Sequence, residues 1–318
     1  MNDLSPALKN WIPLKLFFDK GEQLCSWLFT GDENFSEPFF DGTISKCRKL
    51  APNHSRYKAV SNIEMIQQWA ANIDAVEPVA IIFHVSRCGS TLATQQLGID
   101  EANIVLSEVP FFDELLRAKE KFTGADKEQL FKKAVSFYAA KKNPLNQRCF
   151  IKTDSWHIFF YKELRKSFPG IPFILLYRRP DEVIRSHRKR RGMHAVPGLI
   201  DPELFGLDKE KTASMNFDEY LAKVLEQYFA GFLNILKKDP LSFPVNYNEG
   251  AMAVIKKITA VSATPVTAAC WEQMKQRSAY HAKYPDQVFN ESVTATEIED
   301  YLQPAFELYD NLEKIRLK

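Results

Sequence analysis

The sequence predicts an α/β fold, in which a parallel sheet is flanked by helices, a small β-rich appendage precedes it and a helical region follows it. Three observations support this. Apolar runs of strand length alternate with amphipathic segments of helix length through the middle of the chain. Aromatic-rich pieces broken by turns come before this region, and helical patterns alone come after it. Such alternation is typical of a parallel sheet with helices on both faces.

The predicted elements follow in order along the chain. A β-rich appendage with a lead-in helix is predicted in residues 1–75, and the α/β domain in residues 76–318. In the appendage, LKLFF, LCSWLF and EPFFDG are strand-like, and Ser61 with Glu64 has the spacing of a capping box, which predicts a helix from Ser61 to Ala71. The main strands are predicted at 79–85, 103–107, 149–153, 172–177 and 243–247. The other helices are predicted at 90–97, 110–120, 126–142, 157–168, 180–191, 216–237, 250–261, 265–281 and 295–316.

Composition indicates a globular protein and excludes several classes. Hydrophobic residues make up 45% of the chain and charged residues 26%, and a net charge of +2 is too small to indicate a nucleic-acid partner. No apolar run approaches the length of a membrane span. The segment MNDLSPALKNW lacks the basic and apolar parts of a secretory signal. We therefore expect a cytoplasmic enzyme without a membrane span, and the oligomeric state is left open.

The cysteines and histidines do not form metal-binding or disulfide patterns. The five cysteines contain no C-x-x-C pair and are odd in number, which favours a reducing compartment over structural zinc or a disulfide framework. The six histidines show no i,i+4 pair with an acid between them. We therefore expect no metal site.

The most informative segment is FHVSRCGSTLATQQLG, residues 83–98. An apolar strand ends here in a polar loop with Arg87 and Gly89, and a helix is predicted from Ser90. The first N–H groups of a helix have no intrahelical partner and lie at the positive end of the helix dipole, so this arrangement suits a phosphate or sulfate. Gly89 lets the backbone approach such an anion closely, and Arg87 supplies a charged fork.

This loop departs from the Walker A motif, G-x-x-x-x-G-K-[ST]. His84 stands at the position of the first glycine and Ser90 at that of the lysine. That glycine and lysine serve a nucleoside triphosphate, so their absence argues against an ordinary ATPase or GTPase. Taken alone, the loop is also compatible with a tight strand-to-helix connection that exposes an arginine.

A second strand-loop-helix segment has the same organisation. In PFILLYRRPDEVIRSHRKRR, residues 172–191, Arg178 follows an apolar strand, and Pro180 can open the next helix at its first position. Ser186 follows on that helix, eight residues after Arg178.

Together, HVSRCGST (84–91) and YRRPDEVIRSH (177–187) resemble the two cofactor signatures of the sulfotransferases that use 3′-phosphoadenosine 5′-phosphosulfate (PAPS), a family with a P-loop-type α/β fold. Arginine in the first loop is similar to the tyrosylprotein and bacterial branches, whereas many cytosolic members carry lysine there. Because the two motifs also occur in the family's order along the chain, they support the resemblance more strongly together than either does alone.

Two looser matches extend the resemblance over roughly residues 79–290. IKTDSWH at 151–157 is similar to the family strand that ends in a Lys-Thr pair. Near the C-terminus, Arg277, Lys283 and Phe289 are similar to the loop that closes over the 3′-phosphate end of the cofactor.

The resemblance implies a set of site residues. Those expected to hold PAPS are Arg87, Cys88, Gly89, Ser90, Thr91, Arg178, Ser186, Arg277 and Lys283. Those expected to act in the reaction are Arg87, Glu108, Lys152, Asp154 and His157. The first loop would hold the 5′-phosphosulfate, and Arg178 with Ser186 the 3′-phosphate. Because ligands of parallel sheets bind beyond the carboxyl ends of the strands, we expect the residues that follow the strands to converge.

The base that takes the acceptor proton has three candidates. Cytosolic family members place a histidine two residues after the lysine, where this chain has Asp154. Glu108, which follows a strand and resembles the glutamate base of the tyrosylprotein branch, is preferred, then Asp154, then His157. Each has a structural alternative: Glu108 can be an acid near a helix N-terminus, Asp154 an N-cap and His157 a packing residue.

The sequence therefore predicts a PAPS-dependent sulfotransferase that releases 3′-phosphoadenosine 5′-phosphate (PAP) and needs no metal. Its acceptor would be a small molecule, a carbohydrate or a peptide. Two alternatives are a small-molecule kinase with a divergent phosphate loop and a non-catalytic nucleotide-binding or scaffold protein of the same fold. Within the first loop, Cys88 is interpreted as a small filler beside the cofactor rather than as a nucleophile.

Overall fold

The computed structural model describes residues 5–118, 127–280, 282, 287 and 298–318. Its strands are β1 Trp11–Asp19, β2 Glu22–Phe29, β3 Val60–Asn62, β4 Pro78–His84, β5 Asn103–Ser107, β6 Arg148–Lys152, β7 Phe173–Tyr177 and β8 Ser242–Asn246. Its α-helices are α1 Ser5–Leu8, α2 Phe40–Cys47, α3 Glu64–Ala70, α4 Ser90–Leu97, α5 Pro110–Arg117, α6 Lys127–Tyr138, α7 Tyr161–Ser167, α8 Pro180–Lys189, α9 Lys209–Ala213, α10 Phe217–Leu236, α11 Ala251–Val261, α12 Ala268–Ser278 and α13 Gln303–Arg316.

The predicted fold class is confirmed. Five strands form a parallel sheet in the order β5-β6-β4-β7-β8, and helices lie between the strands along the chain. Asn103 pairs with Arg148 at the start of β5 and β6, and the register ends with Ser107 beside Lys152. On the other side, Tyr177 at the end of β7 pairs with Asn246 at the end of β8. The strands of the main sheet are apolar because they are buried on both faces.

The chain forms two compact units, each built from several segments. The first contains Met1–Ile81, Leu97–Thr153 and Phe160–Ile171, and the second contains Ile82–Gln96, Asp154–Phe159 and Pro172–Lys318. The predicted boundary between residues 75 and 76 stays a prediction.

The first unit begins with the predicted β-rich appendage. Strands β1, β2 and β3 form a three-stranded antiparallel sheet. Its Trp27 packs against Trp69 and Phe137 with ring centroids 5.3 and 5.0 Å apart. The appendage therefore shares an aromatic core with α3 and α6 of the same unit.

Two local predictions in this region are wrong. Ser61 does not cap a helix, because it lies in β3, where its hydroxyl accepts a hydrogen bond from Trp27 Nε1 at 2.8 Å, and α3 begins only at Glu64 without a side-chain cap. The segment EPFFDG is not a strand, since α2 begins within it at Phe40. In both cases, contacts with residues distant in the sequence outweigh the local pattern: Ser61 pairs with Cys25 in the sheet, and the ring of Phe40 packs on that of Tyr138.

The second unit is mainly helical around β7 and β8. Helix α10 is its long buried helix, and α13 packs against both α10 and β8. Tyr177 donates a hydrogen bond to Glu313 Oε1 at 2.5 Å, and Asn246 Nδ2 donates to the Tyr309 hydroxyl at 2.8 Å. Arg316 also pairs with Glu313 at 2.5 Å. The C-terminal helix is thus fixed to the strand ends that precede Arg178 and Tyr247.

Replacing Tyr177 with phenylalanine is expected to lower the free energy of unfolding by about 1 to 2 kcal/mol. The change removes one hydrogen bond to a charged group, while Arg316 keeps Glu313 paired. Urea unfolding of the two proteins measures the difference. Tyr57→Phe is the control, because Tyr57 is 83% exposed. A Tyr177→Phe protein as stable as the parent would contradict the role given to this contact.

The segment 192–214, between α8 and α10, carries short helical turns. These are the 3₁₀ turns Met193–Ala195 and Pro202–Phe205 and the five-residue helix α9. Among the helices of the described residues, none has the length and apolarity required to cross a membrane.

Candidate functional site

The loop after β4 has a backbone conformation suited to an anion. The φ angle is 64° at Ser86, 50° at Arg87 and 76° at Gly89, and it is not positive at Cys88 between them. When residues of opposite backbone handedness follow one another, their N–H groups turn to the same side and form an anion-binding nest. Two non-glycine residues in the left-handed region are strained, and such strain is typical of functional sites.

Gly89 is required in this loop for two reasons. Its positive φ is one that side chains rarely adopt. A Cβ at this position would also lie 2.0 Å from Cε2 of Tyr247, which follows β8. The ring of Tyr247 therefore packs directly on the backbone of the loop.

Helix α4 begins at Ser90, immediately after the nest, as predicted. Ser90 is buried and Thr91 is half-buried in the first helical turn. Cys88 is fully buried, and its thiol donates to the Leu176 carbonyl at 3.5 Å. This burial fits the interpretation of Cys88 as a filler, because a nucleophile needs access to its substrate.

The guanidinium of Arg87 points to the end of helix α8. Its Nη2 donates a hydrogen bond to the Arg190 carbonyl, which caps that helix. The partial negative charge at a helix C-terminus attracts a cation, so this contact is favourable. Arg87 thus joins the nest to the C-terminus of α8.

Arg178 lies directly after β7 and connects the two motifs. It is buried, with only 6% exposure. Its Nη1 donates to the Arg87 carbonyl at 3.4 Å, and its guanidinium carbon lies 5.1 Å from the centre of the Tyr247 ring. The structure therefore brings together the first loop, the second motif and Tyr247.

Glu182, in the first turn of α8, is the acidic partner of Arg178. Its Oε2 accepts from Arg178 Nε at 2.5 Å and from Asn248 Nδ2 at 2.9 Å. Burial favours the neutral acid, but these hydrogen bonds outweigh it and hold the pKa of Glu182 below its usual range. The pair holds the Arg178 side chain against the first turn of α8, and Ser186, further along the same helix, is half-buried. Pro180 lies in the first turn of α8, as predicted.

Of the two C-terminal residues of the predicted cofactor site, Arg277 is among the described residues and Lys283 is not. Arg277 donates hydrogen bonds to the carbonyls of Tyr280 at 3.3 Å and Ala282 at 3.0 Å, just beyond α12. Burial lowers the pKa of its guanidinium. Lys283 and the accompanying Phe289 lie outside the described residues.

In the first unit, Glu108 and Lys152 form an ion pair at the ends of the neighbouring strands β5 and β6. Glu108 Oε1 lies 2.5 Å from Lys152 Nζ, and the Glu108 N–H donates to the Lys152 carbonyl at 2.8 Å. Glu108 has a strained φ of 55°. Its backbone and its carboxylate are therefore both held by Lys152.

Lys152 is almost fully buried, with 1% exposure. Besides Glu108, its ammonium faces the ring of Phe39, whose centre lies 5.1 Å away. The ammonium forms an ion pair with Glu108, but the geometry of that contact is not that of a hydrogen bond. Within the described part of the chain, Lys152 Nζ has no acceptor in hydrogen-bond geometry. A buried ammonium with spare N–H donors is suited to an anionic ligand.

Asp154 and His157 form a turn in the second unit. The Asp154 N–H donates to His157 Nδ1 at 3.3 Å, and His157 Nε2 lies 3.6 Å from Asp154 Oδ2. The His157 N–H in turn donates to the Asp154 carbonyl at 3.0 Å. Both ring nitrogens of His157 thus face Asp154, as in a structural turn, and the catalytic roles of the two residues stay predictions.

Tyr247, which contacts both the nest and Arg178, is not among the residues that the sequence motifs predict. A signal for it exists in the strand pattern. Arg178 follows β7 and Tyr247 follows β8, and these strands end in register at Tyr177 and Asn246. Residues that directly follow two paired parallel strands are neighbours, so the strand prediction could have pointed to Tyr247.

Comparison with known proteins gives matches in structure alone. No protein-family profile matches the sequence, and no curated protein matches it. The chain is similar to sulfotransferase STF9 from Mycobacterium avium, with 18% identity and a TM-score of 0.47, over 78% of this chain and 80% of that one.

Two further solved structures are similar. Sulfotransferase STF1 from Mycobacterium tuberculosis H37Rv has 13% identity and a TM-score of 0.43, over 66% of this chain and 75% of that one. A sulfotransferase from Alicyclobacillus acidocaldarius has 14% identity and a TM-score of 0.44, over 76% of this chain and 97% of that one. All three of these solved structures are bacterial sulfotransferases.

Proposed function

We propose that this chain is a PAPS-dependent sulfotransferase that moves a sulfuryl group to a hydroxyl or amine acceptor. The observation that carries the proposal is the contact between its two cofactor motifs. Arg178 Nη1 reaches the Arg87 carbonyl at 3.4 Å, so the nest and the second cationic position are neighbours in the second unit. A single nucleotide with anionic groups at both ends needs this arrangement.

The residues of this site fit the two ends of such a nucleotide. The N–H groups of residues 87–91 would hold the 5′-phosphosulfate, because the nest and the N-terminus of α4 follow one another. Arg178 and Ser186 would hold the 3′-phosphate. The ring of Tyr247 lies against both groups and would border the nucleotide between them. Arg277 and Lys283 remain proposed contacts at the 3′-phosphate end.

When bound, PAPS supplies a sulfuryl group whose S–O bond to the phosphate breaks as the acceptor atom bonds to sulfur. The chain's own residues position the reactants and balance charge. The guanidinium of Arg87 would neutralise the negative charge that grows on the leaving oxygen. The ammonium of Lys152 would help at the bridging or equatorial sulfuryl oxygens. Glu108 would take the acceptor proton, with Asp154 and His157 as the alternative bases. An acceptor of small-molecule, carbohydrate or peptide type is consistent with this chemistry.

The decisive experiment compares ligands by their effect on the melting temperature. PAP at about one hundred times its dissociation constant stabilises the folded chain by about 2.7 kcal/mol. We expect this to raise the melting temperature by about 5 °C, and ATP with Mg²⁺ to raise it far less. Incubation with radiolabelled PAPS and a panel of phenols, sugars and peptides then tests for transfer.

Arg178→Ala is expected to remove most of the PAP effect, because it deletes a buried charge from the proposed 3′-phosphate position. Arg117→Ala is the matched control, since Arg117 also pairs with an acid four residues away, at 3.2 Å, but in the first unit and at the surface. A larger effect of ATP with Mg²⁺ than of PAP would favour a kinase. Binding of PAP without transfer to any acceptor would favour a non-catalytic protein.

A further inference from the structure

His84 is the last residue of β4. Its side chain is buried, with 4% exposure, and its Nδ1 accepts a hydrogen bond from the Ser86 N–H at 3.0 Å. Because Nδ1 is the acceptor, the neutral ring carries its proton on Nε2. The imidazole thus serves as an acceptor for the main chain of the loop.

Other buried histidines of the second unit use Nδ1 in the same way. His157 accepts the Asp154 N–H at 3.3 Å, and His187 accepts the Gly192 N–H at 3.2 Å. In each case the ring satisfies a backbone donor where the chain turns. The contact at His84 follows this pattern, with the shortest of the three distances.

Ser86 is the residue at which the loop leaves the sheet. The Val85 N–H still donates to the Leu176 carbonyl at 3.2 Å, as in a strand, whereas the Ser86 N–H donates to His84. Ser86 and Arg87 then adopt positive φ angles of 64° and 50°. Such strained residues persist only where neighbouring contacts hold them. The hydrogen bond from Ser86 to His84 is one of these contacts.

The conformation of these two residues sets the direction of the groups that follow. It turns the Arg87 carbonyl toward Arg178, which donates to it at 3.4 Å. It also starts the run of N–H groups that forms the nest at residues 87–89. A loss of the His84 contact would therefore disturb both the nest at residues 87–89 and the contact of Arg178 with the loop.

We propose that His84 is a positioning residue, whose Nδ1 holds the loop in its anion-binding conformation through the Ser86 N–H. The inference rests on the proposed function, because it takes the anion to be the 5′ end of PAPS or PAP. His84 stands where the Walker A motif has its first glycine. This chain would thus use a side-chain acceptor at the place where that motif uses a flexible residue.

The test uses three substitutions that differ in where they present an acceptor. His84→Asn places Oδ1 close to the position of Nδ1, His84→Gln places its amide near the position of Nε2, and His84→Leu removes the acceptor. The dissociation constant of PAP is measured by calorimetry for each full-length protein. The exposed His54, in the first unit, gives the control His54→Leu. The melting temperature of each protein without PAP verifies that it is folded.

We expect His84→Asn to bind PAP within about 3-fold of the parent, and His84→Leu and His84→Gln to bind it about 10-fold to 100-fold more weakly, because a buried N–H would lose its acceptor. His54→Leu should equal the parent. The proposal is overturned if His84→Leu binds like the parent, or if His84→Asn binds no better than His84→Leu.

A second measurement does not depend on nucleotide binding. In the ¹⁵N spectrum of the histidine rings, we expect His84 to have an unprotonated Nδ1 and a protonated Nε2. The His84 signals are assigned as those that disappear from the spectrum of the His84→Asn protein. The opposite tautomer would overturn the proposal. If the parent failed to bind PAP, the proposed function would fall, and the ring spectrum would decide the contact between His84 and Ser86 separately.

Discussion

Replacing Gly89 with alanine is expected to abolish the rise in melting temperature that PAP causes. The added Cβ would lie 2.0 Å from Cε2 and 2.1 Å from Cδ2 of Tyr247, so the ring or the loop must move. The φ angle of 76° adds strain of about 1 to 2 kcal/mol for a residue with a side chain. Arg178 contacts both the ring and the Arg87 carbonyl, so either movement disturbs it. We expect the affinity for PAP to fall by about 100-fold or more.

Two comparisons separate the clash from the strain. Gly21 also has a positive φ, of 88°, but a Cβ there would meet no atom within 4 Å, so Gly21→Ala carries strain alone and should keep the PAP effect. In the background of Tyr247→Ala, the addition of Gly89→Ala should cost less affinity than it does in the parent. A Gly89→Ala protein that responds to PAP like the parent would remove the loop from the nucleotide site.

The main sheet could be predicted because its strands carry a strong local signal. The strand β5 was predicted with its observed bounds, and the predicted β4 and β8 differ by one residue at each end. These strands are short apolar runs bounded by polar turns, and burial on both faces requires that pattern. Helices α4 and α8 were equally recognisable, because each begins directly after a polar loop that follows a strand.

The appendage was harder, since long-range contacts decide its local structure. Ser61 and Glu64 have the spacing of a capping box, but Trp27 Nε1 donates to the Ser61 hydroxyl and Ser61 pairs with Cys25 in the sheet. The partner of Ser61 lies 34 residues away in the sequence. A local pattern cannot show a competitor at that distance.

The site was predictable in its residue types but not in its backbone. Motif spacing singled out Arg87, Gly89 and Arg178, and all three meet in the second unit. Positive φ at Ser86 and Arg87 has no sequence signal, because these residue types seldom adopt it. The same holds for Glu108, whose strained backbone depends on its hydrogen bond with the Lys152 carbonyl.

Replacing Glu108 with glutamine is expected to lower kcat by about 10²-fold to 10⁴-fold, the range typical of a lost general base. The affinity for PAP should stay within about 3-fold of the parent, because the amide has the size of the carboxylate and the backbone N–H of residue 108 keeps its hydrogen bond to the Lys152 carbonyl. The rate is measured with radiolabelled PAPS and an acceptor that the parent sulfates. Glu128→Gln is the control, since it breaks a glutamate–lysine pair of 2.8 Å at the surface of the same unit.

A loss of activity in Glu108→Gln has a structural explanation as well, because the carboxylate is also the charged partner of a buried lysine. Removing one member of a buried ion pair destabilises by about 3 to 5 kcal/mol, and less where the remaining charge reaches solvent, as the 21% exposed Glu108 side chain does.

We therefore expect Lys152→Met to unfold at a lower urea concentration than the parent, and the double variant Glu108→Gln/Lys152→Met to regain much of that stability, since it leaves no unpaired charge. If the pair were only structural, activity would return together with stability. If Glu108 is the base and Lys152 acts at the sulfuryl oxygens, the double variant is stable and inactive, and its retained response to PAP shows that only the reaction has been lost.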